Sequence, residues 1–412
     1  MNPQTTTTKA KTQKTKTKKK EKIAVIGLGK AGLPLAAVIA DSGFTVTGID
    51  IDAERCRRIN KGENPLGEEP GLDELIQKHG GKNLTASTDY RDASQCTLFT
   101  VIVPLFLDKD NTPDFSALST AFKGVAQVLK RDDTVVLETT VSPTTTETLV
   151  RNWLEEGSRL KLGDFNLAFS PERIMTGFSI SRLREFPKII GGVDEKSGEQ
   201  AYQLYRQFIP NLKKVSSARA AEFIKVIEGC YRDVNVALAN ELFQIADSLN
   251  IDFYEAREAA NHKYCDIHLP STGVGGHCIP VYPWFLIKEM ERKEKYDSTK
   301  LLRTARETND EMINFWAGKI TQKCLELNKP LAKIKICING LTYRKGVKET
   351  YHSRNLALTQ HLTKKGLNTY AYDELLTPKE IEKFGLKPLQ PSKADIIFDS
   401  FNLTINTQTP RK

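Results

Sequence analysis

A single segment early in the chain limits the possible folds more than any other feature. A β-rich apolar run at Lys22–Ile26 leads through a glycine-rich turn into helix-forming residues at Leu33–Ile39, and a second β-branched run follows at Phe44–Ile49. Strand, helix and strand in this order predict a βαβ unit with two parallel strands. Further alternation of strand and helix patterns predicts a doubly wound parallel sheet of the Rossmann-like α/β class. The later strand candidates are Leu98–Val103, Thr134–Thr139 and Asn166–Phe169, and the later helix candidates are Phe115–Leu129 and Thr144–Glu155.

The turn of this first unit has the spacing of a dinucleotide site. Gly27, Gly29 and Gly32 form GxGxxG between the strand and the helix. The first glycine permits the tight turn, the second lets a pyrophosphate approach the backbone, and the third lets the helix pack on the strand. Asp50 ends the second strand, where a carboxylate binds a ribose 2′-hydroxyl and repels a 2′-phosphate. The pattern therefore predicts NAD as the cofactor in preference to NADP.

The sequence pattern changes after this region. Residues 219–249 contain no proline and repeat apolar residues at helical spacing, which predicts one long helix that links two domains or contacts a second subunit. Strand, turn, helix and strand recur from Ile334, without the three-glycine pattern. We expect a disordered tail at residues 1–21, an NAD-binding domain at 22–215, a central helical domain at 216–325, and a smaller, shortened Rossmann-like domain at 326–412.

The net charge of +9 is concentrated at the amino terminus. Residues 1–22 hold eight Lys and one Glu, a net charge of +7, so the rest of the chain carries only +2. A Thr/Lys tail without an apolar face is typical of disorder, and we interpret it as a solubilising extension rather than a weak contact to phosphate backbones or anionic lipid. We expect no specific nucleic-acid binding. The tail also lacks the apolar segment of a secretory signal, and the longest uncharged apolar stretch, Leu98–Leu107, is about half of a membrane span. A cytoplasmic protein is expected.

The cysteines give no sign of a disulfide framework. Seven are scattered along the chain without a CxxC pair. His262, Cys265 and His268 have the spacing H-x2-C-x2-H, which allows a zinc site, but they lack the paired cysteines and spacers of structural zinc sites. We interpret them as loop and pocket residues and expect no metal.

Two single residues allow a chemical interpretation and a structural one. Cys278 follows the glycines Gly273, Gly275 and Gly276 and precedes a proline-initiated helix. A thiol near a helix N-terminus is a better nucleophile, although a small buried cysteine at a glycine-rich turn fits the spacing equally well. Lys225 lies on the long helix beside apolar residues. Such a lysine usually reaches out to water, whereas a buried lysine can stabilise a developing oxyanion.

Six ordered motifs resemble the nucleotide-sugar 6-dehydrogenase family, whose members act on UDP-glucose, GDP-mannose or UDP-N-acetylhexosamines. The resemblance runs from about Lys22 to Asp373, and GVGGHCIP and RDVNVALANEL are most similar to members acting on UDP-N-acetylmannosamine and UDP-N-acetylglucosamine. The resemblance implies that the C6 alcohol of a UDP-sugar is oxidised to a carboxylate while two NAD are reduced. We expect a homodimer formed through the long helix, or a higher homo-oligomer. UDP-N-acetyl-D-mannosamine is the expected substrate, and UDP-N-acetylglucosamine and UDP-glucose are the alternatives. The motifs are IGLGKAGLPLA, DIDAERCRRINKGENPLGEEPGL, ETTVSPTTTETL, SPERI, AAEFIKVIEGCYRDVNVALANEL and GVGGHCIPVYPWFL.

The same resemblance implies roles for individual residues. Cys278 would attack the C6 aldehyde to give a thiohemiacetal that is oxidised to a thioester, and Lys225 would stabilise the oxyanion. Glu172 would help water to hydrolyse the thioester, and Thr140, beside the cofactor, would orient water or the substrate oxygen. The substrate-binding residues would be Lys225, Gly273, Gly275, Gly276, Tyr343 and Arg344.

Several positions depart from the family's pattern. Gly229 replaces an asparagine that shares oxyanion binding, Tyr282 replaces an aspartate, and Tyr351 replaces an arginine that recognises the substrate. Leu105 stands where a threonine is usual. Because a preorganised donor contributes a factor of about 10² to 10³ in rate, these departures keep open a catalytically weak sugar-nucleotide-binding homologue.

Overall fold

The computed structural model describes residues 21–67, 69–174 and 177–408. The predicted tail, residues 1–21, lies outside this part of the chain except for Glu21. The strands are β1 (Lys22–Ile26), β2 (Thr45–Ile49), β3 (Leu84–Ser87), β4 (Leu98–Val101), β5 (Phe106–Leu107), β6 (Pro113–Asp114), β7 (Thr134–Leu137), β8 (Asn166–Phe169), β9 (Lys188–Gly192), β10 (Leu212–Lys214), β11 (Ile336–Asn339), β12 (Thr369–Tyr372), β13 (Ile396–Asp399) and β14 (Thr404–Thr407). The α-helices are α1 (Gly32–Asp41), α2 (Ala53–Asn60), α3 (Leu72–His79), α4 (Ser116–Ala126), α5 (Arg151–Ser158), α6 (Ser179–Glu185), α7 (Glu195–Tyr205), α8 (Ala218–Ser248), α9 (Phe253–Ala260), α10 (Tyr282–Arg292), α11 (Lys300–Leu325), α12 (Arg354–Lys364) and α13 (Pro378–Lys383).

The first sheet has the strand order β10-β9-β8-β7-β4-β1-β2-β3. Neighbouring strands pair in parallel from β3 across to β8, and β9 pairs antiparallel with β8. β1 lies between β2 and β4, so the chain order reverses at its carboxyl end, which is where such sheets bind ligands. The predicted doubly wound, Rossmann-like sheet is confirmed, with the antiparallel β8–β9 pair as an addition to it.

Both faces of this sheet are buried. Ile23 and Val25 of β1 pack into one apolar core with α1, and Ala24 and Ile26 pack into a second core with α4 and α5 on the opposite face. Successive strand residues point to opposite faces, so a strand covered on both sides must be apolar throughout. This explains the continuous apolar runs that predicted the strands.

The second sheet has the order β12-β11-β13-β14 and confirms a smaller α/β domain. β11 pairs in parallel with β12 and β13, and β14 is antiparallel to β13. The sequence had not predicted β14, because Thr404–Thr407 carries a single apolar residue on a largely exposed edge. That this domain is shortened stays a prediction.

The predicted long helix is α8, of 31 residues, and it packs along α11. The side chain of Ser217 caps its first turn by accepting a hydrogen bond from the amide of Ala220. Where α8 meets α11, Arg306 donates to the buried carboxylate of Asp233 at 2.6 Å. Among the described residues, no helix combines the length and the apolarity needed to cross a membrane.

Candidate active site

The glycine-rich turn lies against the carboxyl end of β4. Gly27 has a φ of 93°, and a Cβ atom there would come within 2.4 Å of the carbonyl oxygen of Ile102. A Cβ atom on Gly32 would collide with the carbonyl of Gly27. In contrast, no heavy atom lies within 4 Å of the position that a Cβ atom would take on Gly29. The backbone at Gly29 is therefore the part of the turn with room for a pyrophosphate to approach.

The carboxylate of Asp50 is held by three donors. Its Oδ2 accepts from the amide of Leu28 at 2.7 Å, and its Oδ1 accepts from Arg55 Nη1 at 2.8 Å and from the amide of Asp52 at 2.9 Å. The residue predicted to bind the ribose thus also fixes the glycine-rich turn. Sequence analysis missed Arg55, which lines the same cavity; a basic residue five positions after the acid was the available signal.

One cavity of about 750 Å³ connects the predicted cofactor residues with the predicted catalytic residues. Gly27, Gly29 and Asp50 line one end, and Thr140, Glu172 and Cys278 line the other. This volume lies within the range of ordinary cofactor and ligand sites. Because the cavity is continuous, a cofactor bound at one end and a substrate bound at the other can meet inside it. The cavity lining does not include Gly32, Lys225, the three glycines before Cys278, Tyr343 or Arg344.

Lys225 and Glu172 meet just behind the catalytic end. Lys225 is 8% exposed, and its Nζ lies 3.6 Å from Glu172 Oε1. The other carboxylate oxygen of Glu172 accepts from the amide of Ile174 at 2.7 Å. The interpretation of Lys225 as a lysine that reaches out to water is therefore wrong. A buried ammonium group beside a carboxylate is the arrangement that can stabilise an oxyanion and activate water.

Cys278 is half-buried and lies one turn before α10. Its carbonyl oxygen accepts from the amides of Val281 and Tyr282, at 3.1 and 2.9 Å. Tyr282, the first residue of α10, shares a hydrogen bond of 3.2 Å with the hydroxyl of Thr140. The thiol, Thr140 and Glu172 are thus brought to one end of the cavity from three distant parts of the sequence.

The glycines before Cys278 pack against the segment that follows β11. A Cβ on Gly275 would come within 2.8 Å of the carbonyl oxygen of His352, and one on Gly276 would come within 2.9 Å of the Tyr343 ring. Gly273 has a φ of 111° and faces Arg354. Four of the predicted substrate residues therefore lie together, and the guanidinium of Arg344 lies 6.0 Å from the Tyr343 ring centre.

An aromatic pair lines the cavity beside the thiol. The rings of His277 and Tyr351 stack in parallel with centres 4.0 Å apart, and Phe106 lies 6.0 Å from Tyr351. Glu349 Oε2 is 3.5 Å from His277 Nε2. Sequence analysis identified Tyr351 only as the replacement of an arginine; its contact with His277 joins positions 74 apart and has no local sequence signal.

The H-x2-C-x2-H segment forms a tight backbone turn. His262 and Cys265 exchange backbone hydrogen bonds of 2.8 and 2.9 Å. Within the described ranges, no three His, Cys, Asp or Glu side chains converge so as to hold a metal ion.

Comparison with known proteins agrees with the geometry. Residues 21–209 match the UDP-glucose/GDP-mannose dehydrogenase family, NAD binding domain, and residues 219–311 match the central domain of the same family. The UDP-N-acetyl-D-mannosamine dehydrogenase of Pyrococcus horikoshii is 36% identical over 354 residues, 85% of this chain and 83% of that protein. The chain belongs to the UDP-glucose/GDP-mannose dehydrogenase family. It is therefore an NAD-dependent nucleotide-sugar dehydrogenase, an oxidoreductase acting on a CH–OH group.

Further relatives share this architecture. The NDP-N-acetyl-D-galactosaminuronic acid dehydrogenase of Ralstonia nicotianae is 34% identical over 359 residues, 84% of this chain and 81% of that protein. The solved structure of the UDP-D-ManNAc dehydrogenase from Pyrococcus horikoshii has a TM-score of 0.82 at 32% identity, covering 93% of this chain and 96% of that chain. The fold of the whole described region is therefore that of this family.

Proposed function

We propose that this enzyme oxidises carbon 6 of UDP-N-acetyl-D-mannosamine from alcohol to carboxylate through a thioester on Cys278. The observation that carries the proposal is that Cys278 and Glu172 line one end of the NAD cavity, with the buried Lys225 just behind it, 3.6 Å from Glu172. The substrate is supported by the similarity to curated UDP-N-acetyl-D-mannosamine dehydrogenases at 33–36% identity.

The residues at this end suit a two-stage oxidation. NAD supplies the hydride acceptor for both stages. After the first stage, the Cys278 sulfur bonds to the aldehyde carbon, and the carbonyl electron pair moves to the oxygen as an oxyanion. Loss of the second hydride re-forms the C=O bond and leaves a thioester. Water then adds, the S–C bond breaks, and a carboxylate and the free thiol remain.

Lys225 and Glu172 have different roles in this scheme: one stabilises the oxyanion and the other activates water. The ammonium group of Lys225 stabilises the oxyanion, because a charge held in a buried site interacts more strongly than one in water. Glu172, whose carboxylate lies 3.6 Å from the ammonium group of Lys225, accepts a proton from the attacking water.

The substrate is tested with a panel of UDP-sugars at saturating NAD. Formation of NADH is followed with UDP-N-acetyl-D-mannosamine, UDP-N-acetylglucosamine and UDP-glucose. We expect kcat/KM for UDP-N-acetyl-D-mannosamine to exceed the others by about tenfold or more, which corresponds to about 1.4 kcal/mol of discrimination. A higher kcat/KM for another sugar would reassign the substrate. Binding of UDP-sugars without NADH would favour the catalytically weak homologue.

We also propose three domains: an NAD-binding domain at 22–215, a central domain at 216–325 and a substrate domain at 326–412. Within the central domain, α8 forms the interface of a homodimer. Phe223, Ile227, Leu238 and Ile245 are all more than a third exposed. Their spacing of four, eleven and seven residues places them on one face of the helix, as expected of a surface that a second copy covers. Leu238→Asp should yield a monomer by light scattering, whereas Leu325→Asp, at an exposed position at the end of α11, should leave the dimer intact.

A cytoplasmic location and a role in supplying uronic acids for polysaccharide synthesis complete the proposal. All seven cysteines are free thiols, which is typical of a reducing compartment. Counting the free thiols of the purified enzyme tests this location, and an active, secreted enzyme with oxidised cysteines would contradict it.

A further inference from the structure

Two of the departures from the family's pattern are one structural unit. A Cβ atom on Gly229 would come within 2.5 Å of Cδ2 of the Tyr282 ring. The ring therefore occupies the space that a side chain at position 229 would need. An asparagine at 229 and a tyrosine at 282 exclude each other, and glycine is what allows the tyrosine to enter.

The tyrosine ring is held in a fixed position. Tyr282 is 7% exposed and packs in a cluster with Val226, Cys230 and Phe285. The Nζ atom of Lys225 lies 5.8 Å from the ring centre, so the proposed oxyanion-stabilising cation is a direct neighbour. The ring thus carries its hydroxyl to a defined point at the catalytic end of the cavity.

The hydroxyl lies among the reacting groups. It shares a 3.2 Å hydrogen bond with Thr140 Oγ1. Burial, the charges of Cys278 and Glu172, and a side-chain hydrogen bond with Cys278 raise the pKa of Tyr282 well above its usual range, against a smaller opposite effect of Thr140. The phenol therefore remains protonated throughout the neutral range, and it is a hydrogen-bond donor.

We infer that Tyr282 is a catalytic residue whose hydroxyl donates a hydrogen bond to the oxygen on carbon 6, replacing the amide donor that Gly229 lacks. In the covalent intermediate this oxygen is two bonds from the Cys278 sulfur. Cys278 packs against the cluster that contains Tyr282, and both residues line the same cavity, so the phenol is within reach of this oxygen. In the resting site the hydroxyl is hydrogen-bonded to Thr140 Oγ1, which can serve as the donor, and the phenolic hydrogen turns to the oxyanion when negative charge develops there. The inference rests on the proposed function.

The first test is Tyr282→Phe, which keeps the ring and removes the hydroxyl. We expect kcat to fall by a factor of about 10² to 10³, with KM for the UDP-sugar changed little, because the lost interaction is made to the transition state. Tyr205→Phe is the matched control, since Tyr205 is also buried and its hydroxyl donates to Glu138, away from the cavity. A Tyr282→Phe enzyme with kcat within about twofold of wild type would overturn the inference.

A second pair of variants tests the replacement of one donor by the other. Tyr282→Ala removes both the ring and the hydroxyl, and adding Gly229→Asn to it places an amide in the space that is vacated. We expect the double variant to regain about tenfold or more in kcat over Tyr282→Ala, although Gly229→Asn alone is inactive because it collides with the ring. A double variant no faster than Tyr282→Ala contradicts the inference.

A readout independent of turnover separates this inference from the proposed function. Alkylation of Cys278 by iodoacetamide at pH 7, followed by mass spectrometry of its peptide, should slow by about tenfold in Tyr282→Phe, since a neighbouring hydroxyl that can donate a hydrogen bond to the sulfur is lost. An unchanged rate contradicts the contact between the hydroxyl and the sulfur. Absence of NADH with every UDP-sugar in the wild type, together with slower alkylation in the variant, would refute the proposed function and retain the contact.

Discussion

The ammonium group of Lys30 lies 2.6 Å from the carboxylate of Glu349, although 319 residues separate them in sequence. Lys30 belongs to the glycine-rich turn, and Glu349 follows β11, so the ion pair joins the two α/β domains across the NAD cavity. Burial would raise the pKa of Glu349, but Lys30 and His277 outweigh it and hold that pKa below its usual range. The carboxylate is therefore ionised, and we expect it to compete with the pyrophosphate of the cofactor for Lys30.

Replacement of Glu349 by glutamine tests this competition. The variant should bind NAD about twofold to fivefold more tightly at low ionic strength, because Lys30 is exposed and such pairs contribute at most about 1 kcal/mol. Calorimetric titration at low and high salt measures the effect, which should shrink as salt is added. Glu74→Gln, on the surface of α3, is the control. Weaker NAD binding in Glu349→Gln would mean that the pair closes the domains on the cofactor.

Asp50→Asn tests the proposed recognition of the ribose. The carboxylate accepts three hydrogen bonds before any ligand binds, and an amide oxygen cannot replace both carboxylate oxygens. We expect kcat/KM for NAD to fall by about tenfold or more and the preference over NADP to shrink. In Glu54→Gln, which alters an exposed pair with Arg57 on α2, the NAD/NADP ratio should stay at the wild-type value.

Cys278→Ser separates the first oxidation from the second. A serine hydroxyl is a far weaker nucleophile than a thiolate, so the variant should stop before the second hydride transfer, or complete that transfer slowly and remain as an ester adduct that intact mass detects. Steady-state NADH formation should fall by about 10³ or more. Cys265→Ser, also at a partly exposed cysteine, should retain wild-type turnover. Normal turnover by Cys278→Ser would refute the covalent route.

The buried carboxyl group of Glu222 predicts a pH-dependent stability. It accepts from the amides of Thr144 and Thr146 and from the Thr146 hydroxyl, yet burial raises its pKa from 4.5 to about 7. The folded state therefore holds this proton more tightly than the unfolded chain. The contribution is fully present below pH 4.5 and is lost as the pH rises through about 7.

Urea unfolding of Glu222→Gln measures that contribution. Between pH 5 and 8 the wild type should lose up to about 3 kcal/mol of unfolding free energy relative to the variant, which cannot titrate at this position. The exposed Glu258→Gln should follow the wild-type curve. Parallel pH dependences of wild type and Glu222→Gln would show that the carboxyl group titrates alike in both states.

The sequence was sufficient for β1, β2, β4, β7 and β8 of the large sheet, because these strands carry continuous apolar runs, but it did not predict β3, β9 or β10. The predicted bounds Lys22–Ile26 and Asn166–Phe169 agree with β1 and β8. The run Leu98–Val103 overestimated β4 by two residues, since the chain leaves the sheet at Ile102 to cover Gly27. An apolar run alone does not indicate which residue is the last to pair with the neighbouring strands.

The site was predictable only where its residues belong to local motifs. Gly27, Asp50 and Cys278 stand in short patterns whose spacing has a physical reason. Sequence analysis treated Gly229 and Tyr282 as two separate losses, but the structure packs one against the other. A contact between residues 53 positions apart has no periodicity, so a single sequence does not reveal it.

The central claim is a four-electron oxidation at carbon 6, and the stoichiometry of NADH to sugar tests it most directly. A limiting, known amount of UDP-N-acetyl-D-mannosamine is converted to completion with excess NAD, and absorbance at 340 nm counts the NADH formed. We expect about two NADH per sugar, together with the uronate product. One NADH per sugar with release of the aldehyde would contradict it, because Cys278 would then have no part in a completed cycle.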